Sequence, residues 1–213
     1  MSLLLIGMLL IPIGYMAGCL QSAYFVGKFF KKINIKEHGT GNAGATNALR
    51  VMGIKFGLLV LLLDILKTVI PIMAVNYIIF GHVAFIPYEA TQLPGLLMGF
   101  GVILGHNFPF FLGFRGGKGV ACTASLVLMF DWRILILALL LAFLAGLITR
   151  YMYISSLTGF ITVGTTTTLL YSSAEIITLA WVIVALGIFV HRNNIKRVIA
   201  GKEKRLSFGK NKN

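Results

Sequence analysis

The stretch GLLVLLLDILKTVIPIMAVNYIIF, residues 57–80, decides the fold class of this chain. Its length is close to the ~20 apolar residues that cross a hydrocarbon core about 30 Å thick. A second run, ILILALLLAFLAGLIT at 134–149, has the same character. Overall, 58% of the residues are hydrophobic and only 12% are charged, whereas a soluble domain carries about 25% charged residues. The sequence therefore predicts an all-α, polytopic integral membrane helical bundle.

Seven apolar segments are predicted to span the membrane, although the fourth is short and a count of five or six stays open. They cover residues 3–25, 56–80, 94–112, 119–131, 134–149, 154–172 and 175–190. The first is too long for a signal-peptide core and lacks a basic start, so we expect a retained helix. Residues 1–213 are predicted to form a single membrane-embedded domain.

The basic residues lie almost entirely on one side of these segments. Of the 19 Lys and Arg residues, only Arg133 falls on the other face, and Lys67 lies inside the second span. By the positive-inside rule, this distribution predicts an N-terminus outside and a C-terminus in the cytoplasm. The net charge of +13 is then explained by topology and by attraction to anionic membrane lipid. Nucleic acid is not a predicted partner, because basic and aromatic residues do not interleave.

The first polar stretch on the basic side is EHGTGNAGATNALRVMG, Glu37 to Gly53. It contains the letters of a dinucleotide-binding turn, but spanning helices flank it where that turn needs a strand and a βαβ unit. Glycines still let backbone N–H groups approach an anion, and a following helix adds its positive end. We therefore predict an anion site. Its candidate residues are Thr40, Gly41, Asn42 and Arg50, with Thr46 and Asn47 as further neutral donors.

The second stretch, GHNFPFFLGFRGGKGVACT from Gly105 to Thr123, also combines glycines with basic and polar residues. Its glycine loop resembles a phosphate cradle without the frame of a Walker motif. His106, beside that loop, is a candidate for proton transfer. The predicted anion-binding residues are Arg115, Gly116, Gly117, Lys118 and Gly119.

The third stretch, VHRNNIKRVIAGKEKRL at 190–206, follows the last span. His191 and Asn194 are three apart and would share a face of a continuing helix. Taken alone, this stretch is typical of a basic juxtamembrane helix that anchors to lipid headgroups.

Asp64 and Lys67 lie inside the second span, where charges are expensive and usually pair. Two interpretations stay open: a neutralising pair that orients the bundle, or an electrostatic support beneath the first polar loop. Cys19 and Cys122 lack metal-ligand spacing, so we expect small buried hydrophobic residues.

Together the three stretches resemble the three motifs of the bacterial membrane glycerol-3-phosphate acyltransferase family, of the acyl-phosphate-dependent PlsY type. The resemblance covers nearly the whole chain in the same motif order. It implies transfer of a fatty acyl group from acyl-phosphate to the 1-hydroxyl of sn-glycerol 3-phosphate, which gives lysophosphatidic acid. It also implies the bacterial inner membrane with the active site facing the cytoplasm, no metal or coenzyme, and no obligate protein partner.

The resemblance also assigns roles to residues. The motif glycines Gly116, Gly117 and Gly119 are associated with glycerol phosphate, and Glu203 is expected to be structural. The catalytic candidates are Thr40, His106, Lys118, His191 and Asn194.

Thr40 stands where the family usually has serine, and its extra methyl group would crowd a nucleophile, so we favour direct transfer over an acyl-enzyme. Either histidine, or a phosphate oxygen of a substrate, could accept the hydroxyl proton. The alternative function is an organophosphate transporter, which the location of all polar clusters at one face disfavours.

Overall fold

The computed structural model describes residues 3–80 and 93–203, and every regular element in these ranges is helical. This confirms the predicted all-α class for those residues. The predicted outer loop around Glu89 and the basic tail after Glu203 lie outside them. The α-helices are α1 Leu3–Gly18, α2 Ser22–Val26, α3 Ala45–Met52, α4 Ile54–Phe80, α5 Leu93–Asn107, α6 Val120–Phe130, α7 Trp132–Thr149, α8 Met152–Leu170, α9 Ala174–Val190 and α10 Arg192–Ile199.

Shorter helical pieces connect these elements. A π-helix covers Gly27–Lys31, and 3-10 turns cover Ile35–Glu37 and Phe110–Leu112. By length and composition, four helical segments of the described ranges could cross a membrane, or five if α9 and the bent α10 form one span. The seven-span count and the orientation therefore stay predictions.

The chain divides into two compact units, Met1–Asp131 and Trp132–Asn213, and each is described by itself. In the first unit, α1 and α5 cross at very close range. A Cβ built on Gly18 would overlap the carbonyl oxygen of Val102, and one on Gly105 would overlap that of Tyr15. Small residues at such a crossing let the two backbones touch, which is how helices associate in lipid. The crossing fixes the end of α5, where His106 lies.

The first predicted span, 3–25, overlaps a helical segment at Gly7–Lys31 that is long and apolar enough to cross a membrane, but this segment is interrupted. Helix α1 ends at Gly18 and α2 begins at Ser22. Gln21, in the break, is fully buried. Its amide donates a hydrogen bond of 2.9 Å to the carbonyl oxygen of His106. Part of the polar cost of opening the helix is thus offset by a contact to α5.

In the second unit, α7 and α8 form a hairpin whose turn holds Arg150 at a φ of 58°. Ser155 of α8 donates a hydrogen bond of 2.7 Å to the carbonyl oxygen of Ala142 in α7. Helix α9 packs on α8, where Trp181 donates to the Thr168 hydroxyl at 3.0 Å. These interhelical bonds satisfy polar groups among apolar residues, which a helix in a bilayer requires.

Candidate active site

The first motif folds as a glycine turn between the Ile35–Glu37 turn and α3. Gly39 and Gly41 have φ of 65° and 71°, a left-handed conformation that glycine adopts without strain. Between them Thr40 is exposed, as is Arg50 on α3. Asn47 holds the turn, since its amide oxygen accepts the Thr40 N–H at 2.8 Å and its amide nitrogen donates to His38 at 3.0 Å.

This use of Asn47 corrects its predicted role as an anion donor. Its side chain is buried and its amide bonds the loop backbone. Asn42 is half-buried beside Gly41. The loop thus presents its backbone and the Thr40 hydroxyl, while Asn47 fixes their position.

The second motif folds back onto the carboxyl end of α5. The N–H of Gly117 donates to the carbonyl oxygen of His106, and that of Gly116 to the carbonyl oxygen of Asn107, both at 3.0 Å. These bonds use carbonyl groups that the helix end would otherwise leave unpaired. Gly119, at a φ of 70°, is the N-cap of α6. Arg115 is exposed at the edge of this loop.

Lys118 is half-buried two residues before the start of α6. A helix N-terminus carries partial positive charge and outward-pointing N–H groups. The glycine loop therefore combines a lysine, an arginine and a helix dipole, a combination that suits a phosphate group.

The segments that lead into the two motif loops of the first unit contact each other or a shared helix. The ammonium of Lys36, just before the first loop, donates a hydrogen bond of 2.9 Å to the carbonyl oxygen of Leu112 in the second. The ring of Phe111 packs against Tyr24 and Phe25, with centroids 6.1 and 6.0 Å apart. These contacts join the segments that lead into the two glycine–basic loops.

A buried charged cluster lies beneath the second loop. Lys67 and Asp64 form an ion pair of 2.8 Å, as predicted, and both side chains are almost fully buried. Ser22 donates to the same Asp64 oxygen at 2.8 Å. The Lys67 nitrogen is also 2.8 Å from Nδ1 of His106, which is 3% exposed. The pair therefore contacts the second motif. Among the residues that the structure describes, it makes no hydrogen bond or ion pair to the first loop, which one predicted alternative had it support.

Asp64, His106 and Cys122 place potential metal-ligand atoms within 4.8 Å of one another. However, the Lys67 ammonium lies 2.8 Å from both Oδ1 of Asp64 and Nδ1 of His106. A cation thus already sits between two of the three potential ligands, and the cluster is better described as a buried ion-pair network. Cys122 and Cys19 are buried free thiols, as expected.

The third motif lies in the second unit, at the junction of α9 and α10. The two helices bend by 49°, so α10 does not continue α9 in a straight line. His191 forms the junction and is 1% exposed. Its Nδ1 donates to the carbonyl oxygen of Gly187 at 2.8 Å. Asn194 and Arg197 each donate to a carboxylate oxygen of Glu203 at 2.6 Å, so this glutamate ties the end of the motif to α10.

A family model described as Glycerol-3-phosphate acyltransferase matches residues 8–201. The chain belongs to the glycerol-3-phosphate acyltransferase family. Relatives with that name include a protein of Thermoanaerobacter pseudethanolicus, 37% identical over 194 residues. Another, from Shouchella clausii, is 36% identical over 197 residues. Each alignment covers 91% of this chain and 92% of the relative.

Solved structures agree with this family assignment. The crystal structure of PlsY (YgiH), an integral membrane glycerol 3-phosphate acyltransferase, matches in its glycerol 3-phosphate form with a TM-score of 0.81 and 31% identity. That match covers 94% of this chain and 96% of the other. The lysophosphatidic acid form gives a TM-score of 0.77 at 31% identity, over 94% and 95% of the two chains. The predicted PlsY-type membrane family is thus confirmed.

Sequence reasoning about this family member missed three polar contacts. Gln21 and Ser22 interrupt an apolar segment, which is a signal of buried polar contacts, but the sequence does not say with which helix. Lys36 was counted only as a topology charge, whereas its ammonium donates a hydrogen bond to Leu112 in the second motif. Each contact joins residues more than 40 positions apart, beyond the reach of any local pattern.

Proposed function

We propose that this acyltransferase moves a fatty acyl group from acyl-phosphate to the 1-hydroxyl of sn-glycerol 3-phosphate. The products are 1-acyl-sn-glycerol 3-phosphate, or lysophosphatidic acid, and inorganic phosphate. The observation that carries the proposal is the contact between the segments that lead into the two glycine–basic loops, Lys36 to Leu112, in a member of this family. Both substrates carry a phosphate, so a reaction between them calls for two neighbouring anion sites.

The two loops have complementary roles in the proposal. The glycine loop with Lys118 and Arg115 binds a phosphate group through backbone N–H groups, the start of α6 and two cations. Its binding glycines are Gly116, Gly117 and Gly119. The first loop binds a second phosphate through Gly41, Asn42 and Arg50, whose guanidinium suits phosphate oxygens.

The chemical step is direct transfer between the bound substrates. The 1-hydroxyl oxygen of glycerol 3-phosphate attacks the carbonyl carbon of acyl-phosphate. The new C–O bond forms, the carbonyl–phosphate C–O bond breaks, and phosphate leaves with the electron pair. Thr40 and Asn194 orient the phosphates or the carbonyl. The hydroxyl proton goes to His106, to His191 or to a phosphate oxygen of a substrate. Phosphate is already a good leaving group, so alignment and charge stabilisation supply most of the catalysis.

The proposed setting is the inner face of the bacterial plasma membrane. Long apolar helices suit a substrate with a fatty acyl chain, and the basic side of the predicted topology places the polar loops in the cytoplasm. The reaction needs no metal or coenzyme, because acyl-phosphate is itself an activated donor.

The test is a reaction in detergent, where no compartment exists. Purified protein is mixed with glycerol 3-phosphate and, in separate reactions, palmitoyl-phosphate or palmitoyl-CoA. We expect lysophosphatidic acid and inorganic phosphate from palmitoyl-phosphate alone. Formation of lysophosphatidic acid from palmitoyl-CoA instead would show that acyl-phosphate is not the donor. No product from either donor would favour the transporter alternative.

A matched pair of lysine variants links this activity to the glycine loop. Lys118→Gln is expected to lower kcat/KM by about 10- to 100-fold, the scale of one lost charge-assisted hydrogen bond. Lys55→Gln, at an exposed lysine near the start of α4, removes the same charge outside the loop and should leave kcat/KM unchanged. Equal effects of the two variants would mean that the loop lysine contributes only general positive charge.

A further inference from the structure

The imidazole of His106 lies between a buried ammonium and the glycine loop. Its Nδ1 is 2.8 Å from the Lys67 nitrogen. On the opposite side of the ring, a Cβ built on Gly117 would overlap Nε2. The φ of Gly117 lies outside the left-handed region, since it is absent from the positive-φ glycines of the described ranges. Gly117 is therefore small because the His106 ring fills the space of its side chain.

The contacts of Lys67 define which nitrogen of His106 carries a proton. An ammonium has three protons, and three acceptors surround this one. They are Oδ1 of Asp64 at 2.8 Å, Nδ1 of His106 at 2.8 Å and the carbonyl oxygen of Leu20 at 2.9 Å. A protonated Nδ1 would point an N–H at the ammonium, and an amine holds its proton more strongly than an imidazole. His106 is therefore neutral, with its proton on Nε2 facing Gly117.

We propose that His106 is a positioning residue for the glycine loop and is not the base of the transfer reaction. The proposal rests on the acyltransferase function above. Lys67, itself held by Asp64, fixes the ring, and the ring in turn sets the position of Gly117. The carbonyl group of His106 reinforces this link, because it accepts hydrogen bonds from Gly117 N–H at 3.0 Å and from Gln21 at 2.9 Å.

The surroundings of the ring argue against proton transfer by His106. Asp64 and Lys67 face it from α4, and Cys122 faces it from α6. The lone pair of Nδ1 already accepts from the ammonium, and Nε2 already carries a proton. To act as a base, the ring would have to break the contact with Lys67 and change tautomer while nearly fully buried. Such a group suits a fixed support better than a proton acceptor.

A double-mutant cycle tests the contact between the ring and the loop. Gly117→Ala is expected to raise KM for glycerol 3-phosphate by about 10- to 100-fold, because a loop displaced by about 1 Å misaligns the substrate. In the His106→Ala background, where the ring is absent, Gly117→Ala should change KM by less than about twofold. Persistence of the full Gly117→Ala effect without the ring would overturn the proposal.

Gly116→Ala is the matched control for this cycle. A Cβ on Gly116 would overlap the carbonyl oxygen of His106 and the ring of Pro109, neither of which His106→Ala removes. The Gly116→Ala effect on KM should therefore be equal in both backgrounds. If His106→Ala relieves Gly116→Ala as well, the relief reflects general loosening of the loop, and the specific coupling is rejected.

Thermal unfolding of the same variants separates this inference from the proposed function. Gly117→Ala should lower the apparent Tm in detergent when His106 is present and have no further effect when it is absent. That coupling is measurable even if glycerol 3-phosphate proves not to be the substrate. Purely additive Tm changes would overturn the positioning role even in an active acyltransferase.

The pH dependence of His106→Asn tests the exclusion of proton transfer. The asparagine oxygen can accept from Lys67 in place of Nδ1, so the variant keeps the buried network and loses only Nε2. We expect a raised KM for glycerol 3-phosphate and a kcat/KM profile against pH of unchanged shape. Loss of the acidic limb, with kcat lowered about 10²- to 10⁴-fold and KM unchanged, would identify His106 as the base instead.

Discussion

The end of α5 and the junction between α9 and α10 each bury a histidine, and the two regions bond its ring in opposite ways. His106 meets an ammonium, so its Nδ1 accepts a hydrogen bond from Lys67. His191 meets a carbonyl oxygen, so its Nδ1 must donate, to Gly187 at 2.8 Å. The neutral rings are therefore opposite tautomers. His106 carries its proton on Nε2, whereas His191 has its basic lone pair there.

This difference separates two residues that the sequence presents as equivalent base candidates. A general base needs a lone pair directed at the proton that it accepts. A carbonyl bond at Nδ1 that leaves Nε2 basic is also the usual way in which a protein orients a working histidine. Of the two, His191 therefore has the tautomer for proton transfer, and its motif also holds Asn194.

The prediction with the greatest change in rate concerns His191. His191→Asn keeps a donor for the Gly187 carbonyl group and removes Nε2. If Nε2 accepts the hydroxyl proton, kcat should fall by about 10²- to 10⁴-fold and the acidic limb of the pH profile should disappear. KM for glycerol 3-phosphate should change little, the reverse of the pattern expected for His106→Asn.

Steady-state kinetics between pH 5 and 9, with both substrates varied, measure this contrast. A His191→Asn enzyme with native kcat and an intact acidic limb would exclude both histidines once His106→Asn behaves as expected. The remaining acceptor would then be a phosphate oxygen of a substrate.

The acidic residue of each region gives a second prediction, on protein stability. Asp64→Asn leaves the Lys67 ammonium buried without a counter-charge, and breaking a buried pair in this way costs about 3–5 kcal/mol. Glu203→Gln removes a charge from a pair whose Arg197 side chain is 47% exposed. Exposed pairs contribute about 0.2–1 kcal/mol. The apparent Tm in detergent should therefore fall much more for Asp64→Asn.

The double variant Asp64→Asn with Lys67→Met is the control for this prediction. It removes both buried charges, so it should recover much of the Tm that Asp64→Asn loses. The glycine loop would still lack its support at His106, and KM for glycerol 3-phosphate should stay raised. A double variant less stable than Asp64→Asn alone would show that the charges are not the main cost.

These features differ in how well the sequence predicts them. The pairing of Asp64 with Lys67 could be predicted, because isolated charges are expensive within a span and the two are one helical turn apart. Their third partner could not, since His106 lies 39 residues from Lys67, and helical periodicity identifies an inward face without naming the helix that meets it.

The interrupted first span and the bent third motif share one feature. Apolar content predicts burial in lipid, but a buried polar residue lies at each break, Gln21 or His191, and its side chain donates to a backbone carbonyl group. Hydropathy does not register such bonds. The close crossing at Gly18 and Gly105 has a clearer signature in the sequence, because each has a second glycine four residues earlier, Gly14 and Gly101. That spacing is typical of helices in close contact within a membrane.

A last and smaller change in activity is predicted at Thr40, which is exposed on the first loop. Thr40→Ser restores the residue usual in the family and removes one methyl group. The N–H bond to Asn47 and the flanking glycine conformations do not depend on that methyl group. If the hydroxyl only orients a phosphate or the carbonyl, kcat/KM should change by less than about fourfold, the free energy of one methyl group. Thr40→Val, which keeps the shape and removes the hydroxyl, should cost more. A Thr40→Ser enzyme that is much faster and yields an acylated serine in mass spectra would instead establish a covalent route, in which the native threonine is a hindered nucleophile.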